Sequence, residues 1–252
     1  HFINQIFDEH KIMEKTIFRI TRNADIDVED NMIDTDLDYR KAMEELLKKR
    51  RKLAPVRLEV HSPIGPEMED YLCEKLRLKK AQVFVERAPL DMSFVFPLGD
   101  RLTQKTQLFD KPLKPQKHPG LRDDLTMTEQ IRKKDFLLQY PYQEFKPIVR
   151  LLEESAQDPD VLSIKMTLYR VASNSQVVNA LIKAAENGKE VSVVVELKAR
   201  FDEANNIDWS KRMEEAGCNV VYGLDGYKVH SKLMLILRKT KDGVEYISHV
   251  GT

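Results

Sequence analysis

The feature that most narrows the fold of this chain is a five-part alternation in its second half. Residues 161–169 form an apolar strand-like run, 175–187 keep helical spacing up to Gly188, and 191–197 are strand-like again. A second helical segment at 205–216 ends at Gly217, and a short strand follows at 219–222. Strand, helix, strand, helix, strand is the sequence form of βαβ units and points to a parallel sheet. After a turn at 223–226, a long apolar strand at 227–237 and a partner at 244–250 fit an antiparallel hairpin across 239–243, which makes the sheet mixed. A helix at 142–156 precedes the alternation.

The first half has another rhythm. A strand at 16–21 runs into a turn at 22–25, a charged helix spans 37–51, and Pro55 separates it from a strand at 56–60. A helix at 66–78 and a strand at 81–86 complete what reads as a small α+β unit. Between 99 and 124, Pro112, Pro115, Pro119 and Gly120 fall among lysines with little periodicity, which marks a linker or long loop. The boundary is placed near Lys117, giving an α+β domain over 1–116 and an α/β domain over 117–252. No internal repeat is present.

Charge limits the classes of partner. The chain has 41 basic and 41 acidic residues and a formal net charge of zero, without the basic excess of a general nucleic-acid or membrane-surface binder. Any anion site must therefore be local. Cys73 and Cys218 stand alone in regular segments, which fits a reducing compartment better than a disulfide framework. No run of about 18 apolar residues predicts a membrane span, and no signal peptide is evident. The chain opens without Met and stops just after a strand-like run, so it reads as an internal stretch of a longer protein, feeble or inactive alone.

The candidate chemistry centres on His230 and Lys232. Two apart in a strand, they project on one side. A neutral imidazole is a competent nucleophile near neutral pH and forms a labile phosphoramidate, while a neighbouring ammonium neutralises the oxygens of a phosphoryl group in transfer. Arg170 lies at the end of the first parallel strand and Arg200 just past the end of the second, where open parallel sheets bind ligands. Two guanidinium groups there form a clamp for a polyanion. The plainer alternative stays open: a partly buried strand histidine, with each arginine in a surface ion pair, for instance Arg200 with Asp202 or Glu203.

The stretches around these residues resemble the long-chain, phosphohistidine type of polyphosphate kinase. SIKMTLYRVA at 163–172, VELKARFDEANN at 195–206 and YGLDGYKVHSK at 222–232 are similar to that family's phosphate-site and histidine motifs. RKKDFLLQYPY at 132–142 resembles the start of its first catalytic domain, FRITRNAD at 18–25 its middle domain, and SHVGT at 248–252 the beginning of a further motif. The stretch 92–118 does not match well.

The resemblance implies reversible transfer of the terminal phosphate of ATP to inorganic polyphosphate through a phosphohistidine at His230. Arg170 and Arg200 would hold phosphate at a Mg²⁺ site and touch the metal only through phosphate oxygens, since a guanidinium cannot ligate a cation. Lys232 is added as an electrostatic partner. His249 reads as a solvent-facing strand residue or as a supporting group near the site. ATP or ADP and polyphosphate are the implied partners, with no nucleic acid and no membrane span. The implied setting is a homo-oligomer of the full-length chain in the cytoplasm or at a membrane.

The second half of such enzymes resembles the phospholipase D fold, in which two His-x-Lys units face each other. One unit is present here, and Leu237 stands where those phosphodiesterases carry Asp. A phospholipase D-like phosphodiesterase and a polyanion-binding module without catalysis are the alternatives.

Overall fold

The computed structural model describes residues 3–23, 36–50, 53–197, 199, 202–223 and 227–251. Their order is α1 (Ile3–Ile6), β1 (Phe18–Arg22), α2 (Asp36–Arg50), β2 (Pro55–Val60), α3 (Pro66–Leu76), β3 (Val83–Val85) and α4 (Val95–Arg101). Then follow α5 (Met127–Ile131), α6 (Lys146–Gln157), β4 (Val161–Leu168), α7 (Gln176–Glu186), β5 (Glu190–Val195), α8 (Glu203–Glu215), β6 (Asn219–Tyr222), β7 (Lys232–Thr240) and β8 (Gly243–Gly251). The chain divides into two compact units. One comprises His1–Asp27 with Leu46–Lys111, and the other Val28–Glu45 with Pro112–Thr252.

In the first unit, β2 is the central strand, antiparallel to β1 and parallel to β3. Leu58, Val60 and Leu78 are buried there, with Ile20, Ile64, Leu72, Leu76 and Val83 packed around them. Pro66 opens α3, where its missing N–H costs nothing, and Arg77 closes it in the left-handed region at φ 55°. The strand expected at 81–86 shortens to β3. Residues Lys80–Gln82 form a 3₁₀ turn instead, fixed by the Gln82 side chain, which accepts from Lys79 N at 2.8 Å and donates to Val56 O at 3.0 Å. The stretch expected to be irregular from 99 onward begins inside α4 and includes a second 3₁₀ turn at Thr106–Leu108.

The second unit is built on a five-stranded sheet of order β6-β5-β4-β7-β8. β4, β5 and β6 run parallel, and β7 and β8 are antiparallel additions on the β4 side. The buried residues Ile148, Leu151, Leu152, Ser155 and Ala156 recur on α6 at intervals of three and four, one apolar stripe of a helix. α7 is capped by Ser175, whose side chain accepts from Val178 N at 3.2 Å, and buries Val178, Leu181 and Ala184. Gly188 at φ 80° and Gly217 at φ 88° allow the chain to turn back into β5 and β6. Val191, Val193 and Val195 are buried on β5, while Ser192 and Val194 on the opposite face are half-buried.

One expected element changes in a way that matters for the site. The strand expected over 227–237 begins only at Lys232. Side chains take over the backbone groups before it. Thr167 Oγ1 donates to Ser231 O at 2.6 Å and accepts from Leu233 N at 2.9 Å, and Val229 N donates to Glu196 Oε2 at 2.9 Å. A segment whose donors and acceptors are satisfied this way leaves the ladder. The expected turn at 224–226 lies outside the described residues.

Candidate active site

The site lies where the parallel strands end. β4 runs out at Leu168 into Tyr169 and Arg170, and β5 runs out at Val195 into Glu196. β7 is antiparallel to β4, with Met166 opposite Met234, so its first residues arrive at the edge that β4 leaves. Antiparallel pairing therefore carries His230 and Lys232 to the carboxyl end of the parallel strands, where ligands of such sheets sit.

His230 is exposed and Lys232 half-buried. Lys232 Nζ lies 3.5 Å from His230 Nε2 and donates to His230 O at 2.5 Å. The two side chains are neighbours as expected, although His230 precedes the strand. With the ring proton on Nδ1, Nε2 offers its lone pair beside the ammonium. A phosphoryl group bound to that nitrogen would have its oxygens within reach of Lys232.

Tyr169, half-buried, stands at the middle of this arrangement. Its ring meets the His230 imidazole edge-on, with centroids 4.7 Å apart and an interplanar angle of 71°. Lys232 Nζ lies 5.2 Å, Lys228 Nζ 5.5 Å and Arg170 Cζ 5.8 Å from the Tyr169 centroid, all within cation–π range. Arg170 Nε also pairs with Asp202 Oδ2 at 3.0 Å. Arg170 thus sits with the His230 cluster and also makes the kind of ion pair that the plainer reading foresaw. Arg200 lies outside the described residues.

The loop that carries Tyr169 and Arg170 is held from α8. Asn206, fully buried, donates through Nδ2 to Tyr169 O at 2.7 Å and to Glu196 O at 3.1 Å. Asn205 Nδ2 donates to Val171 O at 2.5 Å, and Trp209 Nε1 to Ala172 O at 2.9 Å. Three side chains on one helix thus satisfy carbonyls that have left the sheet ladder. The buried carboxylate of Glu196 fixes the segment before His230 through Val229 N.

Sequence reasoning did not single out Tyr169, Thr167, Glu196, Asn205, Asn206 or Lys228. Tyr169 and Lys228 could have been found from their places beside Arg170 and His230. The two asparagines had a signal as well, because adjacent amides early in a helix that follows a strand end are suited to bind loop carbonyls.

His249 departs from the solvent-facing expectation. It lies opposite Met234 in the β7–β8 pair and is half-buried, and its Nδ1 is enclosed without a hydrogen-bond partner. Burial lowers its pKa from the ordinary value of 6.5. Its ring covers Gly251, where an added Cβ would meet the His249 Cε1 at 3.2 Å.

Mg²⁺ was expected only through phosphate. Among the described residues no group of three His, Cys, Asp or Glu side chains is arranged to hold a metal ion. The cations around Tyr169 suit phosphate oxygens, so these residues fit the phosphate half of a magnesium–phosphate site. No helix of the described residues is long and apolar enough to cross a membrane.

Comparison with known proteins gives a consistent picture. Residues 126–252 match the family model described as polyphosphate kinase C-terminal domain 1, and residues 1–98 match the polyphosphate kinase middle domain. A polyphosphate kinase from Rhodopirellula baltica is 42% identical over 252 residues, covering all of this chain and 29% of the relative. One from Halalkalibacterium halodurans is 40% identical, covering all of this chain and 36% of the relative. The crystal structure of polyphosphate kinase from Porphyromonas gingivalis aligns with 94% of this chain and 32% of its own, with a TM-score of 0.66 and 30% identity. The chain spans about a third of the length of the curated relatives it matches. By these matches the chain belongs to the polyphosphate kinase family, residues 1–98 aligning with its middle domain and residues 126–252 with its first C-terminal domain.

Proposed function

We propose that the full-length protein containing this chain reversibly transfers the terminal phosphate of ATP to inorganic polyphosphate, with His230 as the nucleophile. The observation that carries this reading is the 3.5 Å approach of Lys232 Nζ to His230 Nε2 at the strand-end site of a chain in this family.

In the first half-reaction the Nε2 lone pair attacks the γ-phosphorus. The bond to the β–γ bridging oxygen breaks and ADP departs with the electron pair. Positive charge on the phosphorylated ring is relieved as Nδ1 releases its proton to water, which an exposed imidazole can do. In the second half-reaction the proton returns, and a terminal oxygen of the polyphosphate chain attacks the phosphoryl group. The P–N bond then breaks, His230 is restored and the chain is longer by one phosphate.

Lys232 offsets charge on the oxygens in flight, and Arg170 and Arg200 are assigned to binding the phosphates. Arg170 and Arg200 would hold phosphate oxygens that a Mg²⁺ ion would also contact, and when bound the ion would supply further neutralisation of phosphate charge. Assembly as a homo-oligomer in the cytoplasm belongs to the same reading. Residues 1–252 alone would make little polyphosphate.

The test is transfer of ³²P from γ-labelled ATP to the full-length protein, wild type against His230→Ala. Acid-labile, alkali-stable label on the wild type alone supports the reading. Equal label on both proteins moves the phosphate to another residue. Polyphosphate binding with no label on either removes the kinase reading and leaves an anion-binding module.

A further inference from the structure

We propose that Tyr169 is a positioning residue of the transfer site: its ring orients the His230 imidazole and gathers Lys228, Lys232 and Arg170 without neutralising them. The inference rests on the proposed phosphoryl transfer and adds a residue to it.

Four charged or nucleophilic groups converge on one aromatic ring. The imidazole of His230 meets it edge-on at 4.7 Å, and the three cations lie 5.2 to 5.8 Å from its centroid. Like charges crowded in this way repel one another. A carboxylate at their centre would hold them together, but it would cancel the charge that a phosphate chain must meet. The negative face of an aromatic ring attracts cations and carries no net charge. It therefore draws them together without itself cancelling their charge, Arg170 being also paired with Asp202.

The ring itself is well anchored. Its backbone carbonyl accepts from the buried Asn206 amide at 2.7 Å, and Thr167, two residues earlier near the end of β4, pins Ser231 and Leu233 on either side of Lys232. His230 is exposed and its segment lies outside the sheet ladder, so the edge-on contact, together with the approach of Lys232 Nζ to Nε2, restrains the free end of its side chain. None of the described hydrogen bonds uses the Tyr169 hydroxyl, so the role belongs to the ring.

The experiment compares Tyr169→Phe, Tyr169→Leu and wild type in the full-length protein. It measures kcat for polyphosphate synthesis, KM for ATP and the thermal midpoint, with His230→Ala as the reference for lost transfer. Tyr169→Phe should stay within about twofold of wild type. Tyr169→Leu should lose roughly a hundredfold in kcat, the scale of a misplaced reacting group, with a smaller change in KM. Equal loss in both variants would overturn the proposal by assigning the effect to the hydroxyl. So would a rise in KM at unchanged kcat, or full activity in Tyr169→Leu. If Tyr169→Leu does not fold, Tyr169→Met, which keeps bulk without a π face, takes its place under the same criteria. A wild type that makes no polyphosphate sinks the underlying kinase reading instead, and a His230→Ala variant that still does moves the nucleophile away from His230.

Discussion

At the level of single residues, the chemistry depends on groups whose neighbours are far away in sequence. His230 and Lys232 are two residues apart, but Tyr169, which both approach, is more than sixty residues earlier. Glu196, whose carboxylate holds Val229 N, comes from a third strand end. His249 gives a prediction of its own. Burial lowers its pKa below 6.5, so the unfolded chain binds the proton more tightly than the folded one. Its contribution to stability is complete above that value and is lost as pH falls through it towards the folded pKa. Urea unfolding of wild type should therefore show an acid-side loss that is smaller in His249→Phe. Parallel pH profiles for the two proteins would mean that His249 is not the group responsible. Cys218 shows the same physics with the opposite sign, since burial pushes its thiol up to about 11 and keeps it protonated.

At the level of elements, α8 supports the site. It lies along the sheet beside β6 and α7, and its first turns reach over the ends of β4 and β5 with Asn205, Asn206 and Trp209. Asn206→Ala should cost about 1–3 kcal/mol, because two carbonyls lose their buried donor. Under the proposed function it should also slow phosphoryl transfer in the full-length protein by loosening Tyr169. A urea titration with a turnover assay on the same preparation checks both effects. Lost stability with wild-type turnover would confine Asn206 to a structural role.

The boundaries of α7, β4, β5, β6 and β8 were legible in the sequence because each has a clean period and a glycine, serine or turn at its end. The start of β7 was not. Residues 227–231 are as suited to a strand as those after them, but side chains at the ends of neighbouring strands, Thr167 and Glu196, bind their backbone outside the ladder. The far end of α8 carries a second network. The Tyr222 hydroxyl donates to Glu214 Oε1 at 2.5 Å, and Arg40 of α2 bonds both Glu214 and Tyr222. Burial and the Glu214 carboxylate push the Tyr222 hydroxyl up to about 12.

At the level of the whole molecule, the two compact units have distinct cores, and the first is small. Leu58 is fully buried at its centre, with Val60 beside it on the same strand. Leu58→Ala should cost about 2–5 kcal/mol, the range for truncating a buried leucine in a site that cannot collapse. Thermal or urea unfolding checks this, and a loss below about 1 kcal/mol would mean that the β1–β2–β3 core contributes little.

The sequence by itself determined the βαβ rhythm, the mixed sheet, the apolar helix faces and the candidate pair His230 and Lys232, because these depend on local period, turn chemistry and short spacing. It also carried the motifs by which the family is recognised. Tertiary structure decided that β7 starts at Lys232, that His249 turns inward and that Tyr169 gathers the cations. Those outcomes depend on which strands become neighbours, and strand order in a sheet is set by burial across the whole molecule, which no local pattern encodes.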